Sequence, residues 1–375
     1  MEYDVFAIKC TGSSHISKET KCQDAVYSIK EPDCISAAAA DGHGSIQYFR
    51  SNRGSEFAAR IACEKMSEFL KSSDFMQCSE NDTEKMIIRL AESIVTEWKR
   101  TVRADLLSMP FTESEMKCVP EKYKKIYVPF SETQSSVYTV YELEDKLRPE
   151  ESGLYSAYGT TLIVLGMCSE YGIGLHIGDG KCVALYNDGS MDEPIPWDER
   201  CHLNKCTSIC DDNSISEFRH FVWRDKMPAA VFAASDGLDD SFADKLHSFY
   251  LNTSVDFTEN EFVSQVKKLE DTLPLISEKG SKDDISIVGI INYRQLFKIK
   301  EILLANLKKM TKKKHLDSLR ENIRTLKFKY SNTEKLLQKC SEEYSEKKNK
   351  YTQTLNELQT EIENTEEQIN KLSCS

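Results

Sequence analysis

Short apolar runs separated by turn-forming residues open the chain. Tyr3–Cys10, residues 24–30 and Cys34–Ala40 read as three successive strands. Residues 52–71 and 82–107 then change to helical spacing, with Phe57, Ile61, Met66, Phe69 and Leu70 forming the apolar stripe of the first. A second strand series follows at residues 160–167, Gly172–Ile177, 181–186, 229–234 and 285–291. Strands grouped in meanders, with helices in separate pairs, predict an α+β layered fold rather than a doubly wound parallel sheet. Residues 110–153 break the pattern. They are polar, contain Pro110, Pro120, Pro129 and Pro149, and show little period, so about 108–153 reads as a long insertion or lid.

The last proline is Pro274 and the last glycine Gly289, so nothing after them interrupts a helix. Apolar or aromatic residues recur at Leu316, Leu319, Ile323, Leu326, Tyr330, Leu337 and Tyr344, and again at Leu355, Leu358, Ile362, Ile369 and Leu372. This 3–4 spacing predicts a helical, coiled-coil tail over residues 294–375, offering a surface for self-association or for a partner helix. Ser331 and Glu334 have capping-box spacing, so a two-helix hairpin turning near residues 330–333 competes with one long helix.

Charge sharpens this division. The 375 residues carry 49 Lys+Arg and 61 Asp+Glu, a net of −12. Residues 294–375 hold 18 basic and 12 acidic side chains, leaving 31 and 49 in residues 1–293. An acidic globular part therefore precedes a basic tail, and the acidic part disfavours nucleic acid as a partner. No apolar run approaches the roughly 18–20 residues of a membrane span. The acidic start Met1-Glu2-Tyr3-Asp4 is unlike a signal peptide, and 13 scattered cysteines without paired spacing fit reduced thiols, so a cytoplasmic protein is expected. Cys201, His202, Cys206 and Cys210 cluster without a Cys-x-x-Cys knuckle and read as buried or idle thiols rather than a zinc site.

Chemistry is concentrated where strands end. Ala40 runs into Asp41-Gly42-His43-Gly44, Ile177 into Gly178-Asp179-Gly180, and Ala234 into Ser235-Asp236-Gly237 with Asp239 and Asp240 behind. Asp24 opens one strand and Asp283-Asp284 precede another. One Asp-Gly alone is ordinarily a turn. Several carboxylates at the ends of neighbouring strands repel one another unless cations hold them, and an all-oxygen set suits Mg²⁺ or Mn²⁺.

The order of Gln23-Asp24, Asp41-Gly42-His43-Gly44, Gly159-Thr160-Thr161, Gly178-Asp179-Gly180, Ser235-Asp236-Gly237-Leu238-Asp239-Asp240 and Lys282-Asp283-Asp284-Ile285-Ser286 resembles the metal-dependent serine/threonine protein phosphatases of type 2C. The resemblance covers residues 1–293 and implies a central sandwich of two antiparallel β-sheets flanked by helices. It implies dephosphorylation of phosphoserine and phosphothreonine in a phosphoprotein substrate by a binuclear Mn²⁺ or Mg²⁺ centre with a bridging hydroxide. On this resemblance Asp41 bridges both metals, Gly42 offers its carbonyl, and Asp236 and Asp283 complete the first metal's carboxylates. Gln23 stands at the second metal, Asp24 supports the water, and Asp179 and Asp240 match a third, weaker site. His43 matches the general acid that protonates the leaving alkoxide.

The chain departs from the family pattern at three places. Gln23 replaces the usual Glu, Asp284 the commoner Asn, and Glu19 the arginine that holds the substrate phosphate. His15, Lys18 or Lys21 is the cation expected in its stead, without the planar fork of arginine. A catalytically weak or inactive phosphatase-fold scaffold acting through its coiled-coil tail is the alternative function.

Overall fold

The computed structural model describes residues 2–72, 75, 78–135, 153, 155–201, 206–242, 245–340 and 345–374. Two compact units make up the chain, Met1–Glu301 and Ile302–Ser375.

In the first unit, two antiparallel five-stranded sheets form the centre. One has the order β1 (Tyr3–Cys10), β10 (Ile285–Asn292), β9 (Ala230–Ala234), β6 (Lys181–Leu185), β7 (Met191–Asp192). The other runs β2 (Ala25–Lys30), β3 (Cys34–Ala40), β4 (Leu162–Cys168), β5 (Gly172–Ile177), β8 (Arg219–Trp223). All seven residues of β3 are buried, because alternate side chains meet different layers. Ala37 and Ala39 join Ile163, Leu165, Val231 and Val288 between the sheets. Ala38 and Ala40 join Ile61, Met66 and Trp98 under the helices.

A short α1 (Ser13–Ser17) follows β1. The sheet containing β3 is covered by α2 (Ser51–Leu70) and α3 (Glu80–Ser108). Buried Ala58, Ile61, Ala62, Met66 and Leu70 recur at three- and four-residue steps along α2. Gly166 lets that helix lie close, since a Cβ there would stand 2.4 Å from Met66 Cγ. On the far side of the other sheet, the rings of Phe6 and Phe257 are 5.8 Å apart and those of Phe232 and Tyr250 4.8 Å.

The first part of the 108–153 segment is ordered by local chemistry rather than by period. Thr112 and Glu115 form a capping box at α4 (Glu113–Cys118). Arg50 Nε and Nη2 donate to Glu115 at 2.8 and 3.0 Å, while Phe111, Tyr127 and Phe130 are buried. Residues 136–152 lie outside the described residues.

Beyond α4, α5 (Asp236–Phe242), α6 (Leu246–Glu259), α7 (Phe262–Lys279) and α8 (Tyr293–Lys298) complete the helices that matter here. The second unit consists of most of α9 (Lys300–Gln338) together with α10 (Ser345–Cys374). Lys327 Nζ donates to Glu366 Oε1 at 2.7 Å, a pairing 39 positions apart that marks the two helices as a hairpin. Ser331 and Glu334 lie inside α9, so their spacing marks no helix start; the chain leaves α9 after Gln338 instead. Leu303, Leu319, Leu326 and Ile362 are buried apolar positions of these helices. Among the described residues no helix is long and apolar enough to cross a membrane.

Candidate active site

The site gathers where β3, β9 and the approach to β10 deliver their acids. Asp41 follows the last residue of β3 and is clamped through its backbone. Its carbonyl accepts from Thr160 Oγ1 at 2.7 Å and Thr161 N–H at 2.8 Å, and its N–H donates to Thr161 Oγ1 at 3.1 Å. The Gly159-Thr160-Thr161 segment is thus a backbone brace. Gly42 comes so near the preceding segment that a Cβ would stand 2.5 Å from the Gln23 carbonyl oxygen. Asp236 opens α5 directly after β9, and Asp179 occupies the turn between β5 and β6.

Asp41, Asp179, Asp236 and Asp283 line one pocket of about 420 Å³ together with His43, Tyr48, Cys206 and Ser208. Asp179 and Asp236 also line an adjoining pocket with Asp239, Asp240, Lys181 and Trp197. Burial followed by neighbouring carboxylates changes how these acids ionise. The Asp41 carboxyl is pushed well above the usual range by desolvation and then by Asp24 and Asp236, with which it shares a buried acidic cluster. Asp236 is raised to about 7 by burial and then by Asp179. Burial also raises Asp179.

Asp24 is 1% exposed, and neither of its carboxylate oxygens has a hydrogen bond of good geometry. The Ser286 and Ser235 hydroxyls are close enough to favour its ionised form, yet burial still raises it to about 7. A buried carboxylate left without donors is costly, and a divalent ion would answer both that deficit and the mutual repulsion. The donors are all oxygens, the set that hard cations prefer. Among the described residues no three His, Cys, Asp or Glu side chains are disposed as a closed ligand set. The chemistry of the donors fits Mg²⁺ or Mn²⁺, while the carboxylates stand as a repelling group rather than a finished cage.

Gln23 has a local reason to be an amide. Its Nε2 donates to the His43 carbonyl at 3.1 Å and to Ser51 Oγ at 2.8 Å, bonds that a glutamate could not donate. Gln23 is not among the residues lining the acidic pocket. Asp284 is 3% exposed and does what one asparagine oxygen could not. Oδ1 accepts from Gly12 N–H at 2.7 Å, and Oδ2 accepts from Gln23 N–H at 2.6 Å. His15 Nδ1 lies 2.9 Å from the same Oδ2.

The expected phosphate-holding cations are not brought into this pocket. His15 is engaged by Asp284, Lys18 and Lys21 are exposed, and none of the three is among the lining residues. Glu19 adopts a left-handed backbone with φ 54°. Asp240 is exposed at the neighbouring pocket, and Asp283 is exposed at the mouth of the first. His202 lies outside the described residues, whereas Cys206 reaches the site and Cys201 and Cys210 are buried near it.

A family model described as Protein phosphatase 2C matches residues 11–274. The chain belongs to the protein phosphatase 2C family. No curated protein sequence matches it. Solved structures that resemble it include the serine/threonine phosphatase Stp1 from Staphylococcus aureus, at 14% identity, covering 77% of this chain and 94% of that one with a TM-score of 0.44. The serine/threonine phosphatase of S. agalactiae is similar at 14% identity, covering 77% and 99%, with a TM-score of 0.43.

Within this protein phosphatase 2C domain, two neighbours of His43 lie outside the sequence motifs, and one motif residue has a role its motif did not indicate. Ser208 and Cys206 touch His43 from a loop without a repeated pattern, and Asp284 looked interchangeable with asparagine. Only the odd density of cysteines at 201–210 offered a signal.

Proposed function

We propose that this chain is a metal-dependent protein phosphatase that removes phosphate from phosphoserine and phosphothreonine. The observation that carries this reading is the convergence of Asp41, Asp179, Asp236 and Asp283 on one pocket beside His43, with Asp24 buried and unpaired behind it. Asp41, the Gly42 carbonyl, Asp236 and Asp283 would hold Mn²⁺ or Mg²⁺, with Gln23 Oε1 contributing to a second ion and Asp179 and Asp240 to a third, weaker one. Divalent ions bound there supply water of lowered pKa and neutralise phosphoryl charge.

The chain's own groups divide the remaining work. Asp24 accepts a proton from the attacking water. His43 is held neutral at pH 7, because burial lowers its pKa to about 4. A phosphate dianion beside the ring favours its protonated form and prepares it to donate to the departing alkoxide. Catalysis belongs to residues 1–293, and residues 294–375 provide a helical surface for self-association or a partner helix. Scattered cysteines without paired spacing support a cytoplasmic setting.

A catalytically inactive scaffold is favoured by one observation. Among the described residues, no Lys or Arg lines the acidic pocket, so the phosphate finds there no fork of the kind arginine gives it. Hydrolysis of p-nitrophenyl phosphate by the full chain separates the readings. A Mn²⁺-dependent rate abolished by Asp236→Asn supports the phosphatase; a folded protein inert at millimolar Mn²⁺ supports the scaffold.

A further inference from the structure

His43 is built into a shelf that determines which of its nitrogens works. Its backbone N–H donates to the Gly159 carbonyl at 3.1 Å. The Tyr48 ring meets the imidazole edge-on, with centroids 4.7 Å apart. Gly159 makes room for both rings, since a Cβ there would stand 2.8 Å from His43 Cδ2 and 2.7 Å from Tyr48 Cδ1. Nε2 lies 2.8 Å from Ser208 Oγ, and Nδ1 lies 3.9 Å from Cys206 Sγ.

The direction of the Ser208 bond follows from counting protons. Ser208 is 2% exposed, and its Oγ is 3.0 Å from the Thr160 carbonyl, which can only accept. That carbonyl also accepts from Ile209 N–H at 3.1 Å, but two oxygens 3.0 Å apart still need a proton between them and only the Ser208 hydroxyl can supply it, so Oγ accepts from the imidazole, as it does from Cys210 N–H at 3.4 Å. Nε2 therefore carries the ring proton, and Nδ1 keeps its lone pair on the Cys206 side. Ser208 is itself fixed, because its N–H donates to Asp211 Oδ2 at 2.8 Å.

We infer that Ser208 is a positioning residue for the phosphatase reaction: it holds the neutral His43 in the Nε2–H tautomer, so that Nδ1 is the nitrogen that takes up a proton from solvent when the phosphate binds and passes it to the leaving alkoxide. This inference rests on the proposed phosphatase activity for its kinetic consequence, but the tautomer is a property of the folded chain alone. General acid catalysis is worth roughly 10²–10⁴-fold, and it matters most for a poor leaving group. A serine alkoxide needs the proton, whereas p-nitrophenolate leaves readily without one.

The test compares wild type, Ser208→Ala and Ser208→Thr in the full chain with Mn²⁺, on a phosphoserine peptide and on p-nitrophenyl phosphate. Ser208→Ala should lower kcat for the peptide about ten-fold more than for p-nitrophenyl phosphate, with KM for the peptide little changed. Ser208→Thr, which keeps the hydroxyl, should restore most of that selectivity. Equal losses on both substrates, or no loss on the peptide, would overturn the inference. Imidazole ¹H–¹⁵N correlation spectra of the metal-free protein give an answer that needs no turnover. The proton should sit on Nε2 of His43 and lose that preference in Ser208→Ala; a proton found on Nδ1 in wild type would also overturn it. Should the enzyme prove inert on both substrates, the phosphatase reading fails and the spectra still decide the role of Ser208.

Discussion

Asp284 Oδ2 accepts the backbone N–H of Gln23 at 2.6 Å, joining the segment before β10 to the one that carries Asp24. The other oxygen of the same carboxylate holds Gly12. Three separated stretches of chain are thus tied behind the acidic pocket by one side chain.

Asp284→Ala should destabilise the protein by about 2–4 kcal/mol, because it leaves two backbone donors without an acceptor. Asp284→Asn keeps one carbonyl oxygen and should cost about half as much. Chemical denaturation of the full chain gives both values. A loss below about 1 kcal/mol for the alanine variant would show that the tie is dispensable.

Gln23→Glu exchanges a committed amide for a carboxylate. The variant should bind Mn²⁺ more tightly, seen as a several-fold lower half-saturating concentration by titration calorimetry. It should also lose about 1–2 kcal/mol of metal-free stability, since the His43 carbonyl and Ser51 lose a donor. Unchanged metal affinity would place Gln23 outside the coordination shell.

The acidic cluster makes metal-free stability depend on pH. Burial raises both Asp24 and Asp236 to about 7, above their unfolded value near 4. The folded state therefore binds these protons more tightly, and the stability they contribute is present below about pH 4 and lost as pH rises to about 7. Thermal melts without metal should fall across this window, less steeply for Asp236→Asn. Saturating Mn²⁺ should flatten the curve, adding roughly 2.7 kcal/mol at a hundredfold excess over Kd. A metal-free melting temperature that rises from pH 4 to 7 would contradict the assignment.

The hairpin of α9 and α10 should hold through its apolar positions rather than its surface pairs. Leu326→Asp together with Ile362→Asp should reduce helical ellipticity and any self-association seen by sedimentation. Lys327→Glu should cost less than about 1 kcal/mol, because both partners are exposed. A larger effect from the charge reversal would reverse this ranking.

Where strand ends coincide with Asp-Gly turns, the sequence is informative: Ala40-Asp41-Gly42 and Ala234-Ser235-Asp236 place acids at the ends of β3 and β9, one strand from each sheet, and the two-sheet sandwich follows the same motifs. Other elements left fainter marks. The four-residue-spaced burial of α6 is broad enough to blur its stripe, and β8 alternates weakly, with only Trp223 buried. The chain leaves α9 after Gln338, where no glycine or proline announces it, whereas Ser331 and Glu334 have capping-box spacing and lie within a helix. Ser208 was invisible because its role depends on Thr160 and His43 meeting it across the fold.

The central claim is tested most directly by phosphate release from a phosphoserine protein, measured for the full chain as Mn²⁺ is titrated, beside Asp41→Asn. Saturable, metal-dependent release that falls at least a hundredfold in the variant is the predicted result, a loss of about 2.7 kcal/mol in transition-state stabilisation. A folded wild type that binds Mn²⁺ yet releases no phosphate, or a variant as active as wild type, would contradict it.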